Sequence, residues 1–100
     1  MNKALDLEET EASSISYLGK NIPNPFNEQT TIEYYLPPNT GKASLYIYNL
    51  QGKQLKAIPL HQYENGEVII HGSELQPGMY HYSLVADGKL VGTEQLVLTK

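Results

Sequence analysis

From Ser14 onward the chain alternates apolar and polar residues in short runs, and the runs end at glycine, proline or asparagine. Successive side chains of a strand point to opposite faces, so each such run has one face to bury and one to leave in water. Thr30–Leu36 places Ile32, Tyr34 and Leu36 on one side and Thr31, Glu33 and Tyr35 on the other. Leu45 and Ile47 oppose Tyr46 and Tyr48, and Gly78–Ala86 sets Tyr80, Tyr82, Leu84 and Ala86 in one row. In Leu90–Thr99, Leu96 and Leu98 flank Val97. Lys53–Leu60 is mixed, Glu67–His71 alternates weakly through Val68 and Ile70, and a short strand near Ile15–Leu18 makes seven. No helical period intervenes. The expected fold is all-β, an Ig-like antiparallel β-sandwich of about seven strands.

The punctuation agrees. Gln51-Gly52, Asn65-Gly66 and Asp87-Gly88 each sit between strand-like runs, where glycine and asparagine tolerate the positive φ of tight hairpins. Asp87-Gly88 is the strongest hairpin signal. Pro23, Pro25, Pro37 and Pro38 bracket the second run, and Pro59 assigns Lys53–Leu60 to a short or edge strand. Pro77-Gly78 reads as the turn into the Met79 strand. Gly52 and Gly78 are expected at turns where a Cβ would clash, and Phe26 is expected to plug one end of the sandwich.

One hundred residues make one domain by default. Residues 1–13 are read as a linker or disordered tail, and 14–100 as the sandwich. The formal charge is −4, and most of it lies in the tail, where Asp6, Glu8, Glu9 and Glu11 face only Lys3. The body is nearly neutral and the chain has no Arg. That argues against nucleic acid and anionic membranes as partners. No Cys is present, so disulfides, thiolate chemistry and Cys-ligated zinc are excluded. No apolar run is long enough to span a bilayer as a helix. The first residues lack the apolar core of a signal peptide, so an export signal, if the parent protein has one, lies upstream.

Catalytic chemistry finds little footing. His61, His71 and His81 have no close-spaced ligand partner and read as solvent-facing strand or loop residues. Ser73 and Ser83 sit in no nucleophile elbow, and Glu64, Glu67 and Glu74 read as solvated carboxylates rather than a glycosidase pair. The expectation is a protein that is not an enzyme, with no cofactor and no metal. Alternation places Tyr34, Tyr80 and Tyr82 in or near the core; Tyr35 and Tyr46 are the better surface candidates.

Four segments together resemble a known family. Asn24-Pro25-Phe26-Asn27 followed by Thr30–Tyr34 resembles the opening of the C-terminal sorting domains of the type IX secretion system of Bacteroidetes, type A class. Leu45–Lys53 is similar to that family's central strand and Gly52 turn. Leu75-Gln76-Pro77-Gly78-Met79-Tyr80 is similar to its Leu-x-x-Gly-x-Tyr motif, and Gln95–Lys100 to its terminal apolar strand closed by lysine. The order is preserved and the resemblance covers roughly Tyr17–Lys100. It implies a non-catalytic sorting signal that follows a cargo domain in the parent chain. Such a signal directs an exported protein from the periplasm through the outer-membrane translocon to the cell surface or the medium, where a sortase removes it. By the same match, Gly78, Tyr80, Leu96, Val97, Leu98 and Lys100 would be the elements that translocon and sortase recognise. Asn24, Pro25, Phe26, Asn27 and Gly52 would be structural. The terminal strand would be read along its edge or at its carboxylate. Cleavage would fall around Glu11–Ser16, and a monomer is expected rather than a dimer. This chain departs from the family where lysines often precede the last strand: Thr93-Glu94-Gln95 stand there instead.

Two other classes of function fit the same fold. One is an Ig-like adhesion or carbohydrate-binding module using Tyr35 or Tyr46. The other is a spacer whose terminal strand pairs edge to edge with a second copy.

Overall fold

The computed structural model describes residues 15–99. The assignments to residues 1–13, to Ser14 and to Lys100 lie outside the described residues. Seven strands form: β1 (Tyr17–Ile22), β2 (Gln29–Leu36), β3 (Ala43–Tyr48), β4 (Gln54–Pro59), β5 (Glu64–His71), β6 (Gly78–Ala86) and β7 (Lys89–Leu98). A single 3₁₀ turn, Gly72–Glu74, links β5 to β6. β1, β2 and β5 make one antiparallel sheet in the order β1-β2-β5, and the other four make a second in the order β4-β3-β6-β7. The two sheets pack as the expected sandwich.

The predicted inner rows are the core. Ile32, Tyr34, Leu36, Leu45, Ile47, Tyr80, Tyr82, Leu84, Ala86, Leu96 and Leu98 are all buried, joined by Leu18, Phe26, Ala43, Leu60 and Ile70. Each large apolar side chain so buried contributes about 1.5–3 kcal/mol, the main force holding the layers together. Tyr82, the largest fully buried side chain, reaches across to the opposite sheet. There its hydroxyl donates to the Gly19 carbonyl at 2.8 Å, which the register shift between Leu18 and Asn21 leaves out of the β1–β2 ladder. Burial, reinforced by Glu94, raises the pKa of this phenol well above its ordinary value.

Asp87-Gly88 forms the β6–β7 hairpin, with φ of 51° and 79°. The Asp87 carboxylate also accepts from the Gly41 and Lys42 amides at 2.9–3.2 Å, fixing the loop before β3. The Lys42 and Gly41 amides together lower its pKa. The β3–β4 turn is closed by Asn49, whose Oδ1 accepts from the Gln51 and Lys53 amides. Pro59 ends β4, an edge strand, as its position in the sequence predicts.

Two expectations need correction. Asn65-Gly66 is not a turn: both residues lie inside β5, opposite Tyr35 and Tyr34. The Tyr34 ring covers Gly66 so closely that a Cβ there would fall 2.4 Å from Cζ. Glycine is needed here for space, not for a positive φ. The reverse holds at Gly52 and Gly78, where a Cβ would meet nothing within 4 Å. What those turns demand is backbone freedom, with φ of 87° and 155°.

Candidate functional site: the clipped terminal strand

Register brings the proposed recognition residues together. Gly78 pairs with Leu98, Met79 with Val97 and Tyr80 with Leu96, so the Leu-x-x-Gly-x-Tyr segment and the terminal run are two sides of one ladder. Leu96 and Leu98 point inward and are buried, as is Tyr80, whose hydroxyl donates to the Gln76 carbonyl. The face turned to solvent carries Met79, exposed, beside half-buried Val97. Gly52 belongs to the turn beyond Tyr48, at the same end of the sheet, because Tyr48 pairs with His81. It does not touch the ladder.

The outer edge of β7 is not open. Asn24 acts there as a substitute peptide group: its Nδ2 donates to the Gln95 carbonyl at 3.3 Å, and its Oδ1 accepts from the Val97 amide at 3.0 Å. Two residues on, the Phe26 amide donates to the Val97 carbonyl at 3.0 Å, and the Phe26 carbonyl accepts from the Thr99 amide at 2.8 Å. Phe26 thus forms a one-residue parallel bridge with Leu98 while its ring is buried in the core. Since both Phe26 groups face β7, Pro25 sits where a missing N–H leaves no ladder bond unmade. On the far side of the clip the Glu28 carbonyl accepts from the Gly72 amide at 2.8 Å, and the Asn27 carbonyl lies so near that a Cβ on Gly72 would fall 2.4 Å from it. The reading of the terminal strand along its edge is therefore corrected: from Gln95 to Thr99 that edge is taken.

Sequence reasoning missed the polar knot that supports the clip. Asn21 and Thr30 are both buried. Asn21 Nδ2 donates to Thr30 Oγ1 at 3.1 Å, and Thr30 Oγ1 donates to the Pro23 carbonyl at 2.7 Å. The only available signal was a polar residue on an apolar row: Thr30 shares its face with Ile32, Tyr34 and Leu36.

Elsewhere the chemistry stays dispersed. His61, His71 and His81 are exposed, and among the described residues no three His, Asp or Glu gather. No helix among them is long and apolar enough to cross a membrane. Tyr35 and Tyr46 are half-buried; Tyr46 and Tyr48 pack 6.4 Å apart with rings inclined by 43°, which is not the flat platform that sugar stacking favours.

The fold and its clipped edge define a small all-β module with its last strand fastened in place. Comparison with known families matches residues 20–99 to the secretion system C-terminal sorting domain. The chain belongs to that family, the sorting signals of type IX secretion. No curated protein matches it. Among solved structures it is similar to the dimeric latent PorU of Porphyromonas gingivalis, with a TM-score of 0.70 at 17% identity. The match covers 84% of this chain and 9% of that one. This likeness concerns the fold alone. A Pseudomonas fluorescens alkylpurine DNA glycosylase, AlkC, aligns over 87% of this chain and 31% of its own at 13% identity. Its TM-score of 0.45 is too loose to carry any argument.

Proposed function

We propose that this domain is a non-catalytic signal that takes a preceding cargo domain through the periplasm and the outer-membrane type IX translocon, after which a surface sortase removes it. The machinery meets the Gly78–Tyr80/Leu96–Leu98 ladder at its solvent face, through Met79 and Val97, and also reads Lys100. Leu96, Leu98 and Tyr80 shape that face from beneath. Gly78 and Gly52 set the backbone turns at the same end, and Asn24, Pro25, Phe26 and Asn27 hold the strand in register. The observation that supports this reading most is the direct pairing of the two motifs the family shares. A cut before β1, around Glu11–Ser16, would release the sandwich whole.

The test is to fuse Ser14–Lys100 to a periplasmic reporter in a type IX-competent host and to measure the reporter on the surface. Deletion of Leu96–Lys100 should abolish its appearance. Because that deletion also removes core side chains, Val97→Asp is the sharper variant: it changes the outer face only. Native circular dichroism with surface display reduced about tenfold is the expected result. Undiminished display by a folded Val97→Asp protein would sink the assignment to this face.

A further inference from the structure

The four sheet edges are treated differently. Natural sandwiches protect exposed edges, because an unpaired row of N–H and C=O groups invites another strand. β7 carries the Asn24–Phe26 clip. β1 is interrupted by its register shift and lies along β7, with Leu18 against Gly92 and Lys20 4.0 Å from Glu94. β4 has a register shift beside Tyr48 and ends in Pro59. The Leu60 amide bonds inward to Ala43, so the position of Pro59 is the one facing out, where proline removes a donor.

β5 has no such device over its last residues. The Gly72 amide bonds inward to Glu28, and the Glu67 amide bonds outward to Gln62 Oε1 at 3.3 Å. Alternation then aims the N–H and C=O of Ile69 and His71 outward as well. Ile69 is exposed on the sheet's outer face, opposite Thr31 with exposed Ile22 beyond it. One row further along, Glu33 and Glu67 stand directly opposite each other, both exposed. Like charges so placed destabilise a sheet unless a cation answers them. Neither joins an ion pair among the described residues. They line a cleft of about 470 Å³ with Gln62, Asn65 and Gly66, at the end of the open edge.

We infer that the Ile69–His71 edge of β5 is a docking site for an extended segment of a partner protein that carries a lysine or arginine. The segment adds a fourth strand to the β1-β2-β5 sheet by bonding to the outward groups of Ile69 and His71. Its basic side chain reaches the Glu33–Glu67 cleft and relieves the repulsion there. An apolar neighbour packs on Ile69. The chain's own residues 1–12 are the wrong occupant, since that stretch is acidic. A second copy is disfavoured too, because pairing β5 with β5 would add two more carboxylates to the pair already present. This inference goes beyond the sorting reading and does not rest on it.

The experiment uses the purified full chain, labelled with ¹⁵N, and three blocked octapeptides of alternating Val and Thr that differ at one central residue: Lys, Gln or Glu. Amide shifts should centre on Ile69 and His71, and the Lys peptide should bind about fivefold more tightly than the Glu peptide. The combined variant Glu33→Gln, Glu67→Gln should bring the three affinities within about twofold of one another. Ile69→Pro removes an outward N–H without touching the ladder and should abolish the shifts. If that variant does not fold, Ile69→Lys on an intact sheet should repel the Lys peptide selectively. Equal binding of the Lys and Glu peptides would overturn the inference. So would shifts centred on β1, β4 or β7, or a concentration-dependent dimer that protects Ile69 and His71 with no peptide present.

Discussion

The two long sides of this sandwich are finished in different ways. On one side β1 and β7 meet, and the gap between the sheets is stitched by Asn24, Phe26 and the buried Asn21–Thr30 pair. On the other side lie β4 and β5. They are joined by the short link around Leu60–Tyr63; the hydroxyl of Tyr34 on β2 donates to the Gln62 carbonyl of that link, and a surface Lys56–Glu74 ion pair of 2.9 Å ties β4 to the turn after β5. The first side is sealed by backbone and core contacts. The second is held by side chains at its rim. The comparison teaches that the terminal strand of a sorting domain can be kept from indiscriminate pairing without being hidden. Its edge is covered, while Val97 and Met79 still look outward on the sheet face.

Removing the plug of the sealed side should have the largest effect. Phe26→Ala deletes a buried ring and leaves a hole between the sheets, for an expected loss of about 3–5 kcal/mol in urea unfolding. The open side is tested by Gly66→Ala, which drives a Cβ into the Tyr34 ring and should destabilise by about 1–3 kcal/mol. In a Tyr34→Leu background the same change should become nearly neutral; an unchanged penalty would mean that Gly66 serves backbone freedom instead. Asn24→Ala isolates the clip from the plug. Two bonds are lost on an exposed edge, for about 1–2 kcal/mol. The Val97 amide should then exchange its hydrogen faster while Ile47, on β3, keeps its protection. Equal acceleration at both would show that the clip has no local role.

The smallest effect concerns the loop tied by Asp87, which belongs to neither side. The Gly41 and Lys42 amides hold its carboxyl below its ordinary value of 3.8, so the folded state binds that proton more weakly than the unfolded chain does. The associated stability is present above that ordinary value and drains away as pH falls through the lower, folded one. Asp87→Asn should therefore flatten the fall of Tm below pH 4 and leave the profile near pH 7 almost level. An unaltered acid limb would assign the acid sensitivity to other carboxylates.

Much of this was legible beforehand. Wherever one face of a strand is buried, the alternation names its core residues, and Ile32, Tyr34 and Leu36 needed no coordinates to be placed. Asp87-Gly88 was equally plain, because both residues tolerate the left-handed backbone that a two-residue hairpin requires. Asn65-Gly66 misled for an instructive reason. The same pair of residue types suits a turn and suits a strand position under a neighbouring ring, and only Tyr34 on the adjacent strand decides between them. The clip was illegible in a stronger sense. Asn24 and Val97 lie 73 residues apart, and nothing local marks an asparagine side chain as a stand-in for a peptide group. The resemblance to a sorting family grouped Asn24-Pro25-Phe26-Asn27 as structural. The coordinates add what that structure does: it closes an edge.

Fastening the Asn24–Phe26 segment to Val97 and Thr99 has a mechanical consequence. Suppose tension drawn along the chain upstream of Tyr17 is opposed by a grip on the strand that ends at Leu98. It would load several hydrogen bonds side by side, together with the wedge of a buried ring, instead of unzipping one pair after another. A domain so laced resists being dragged apart from these two places.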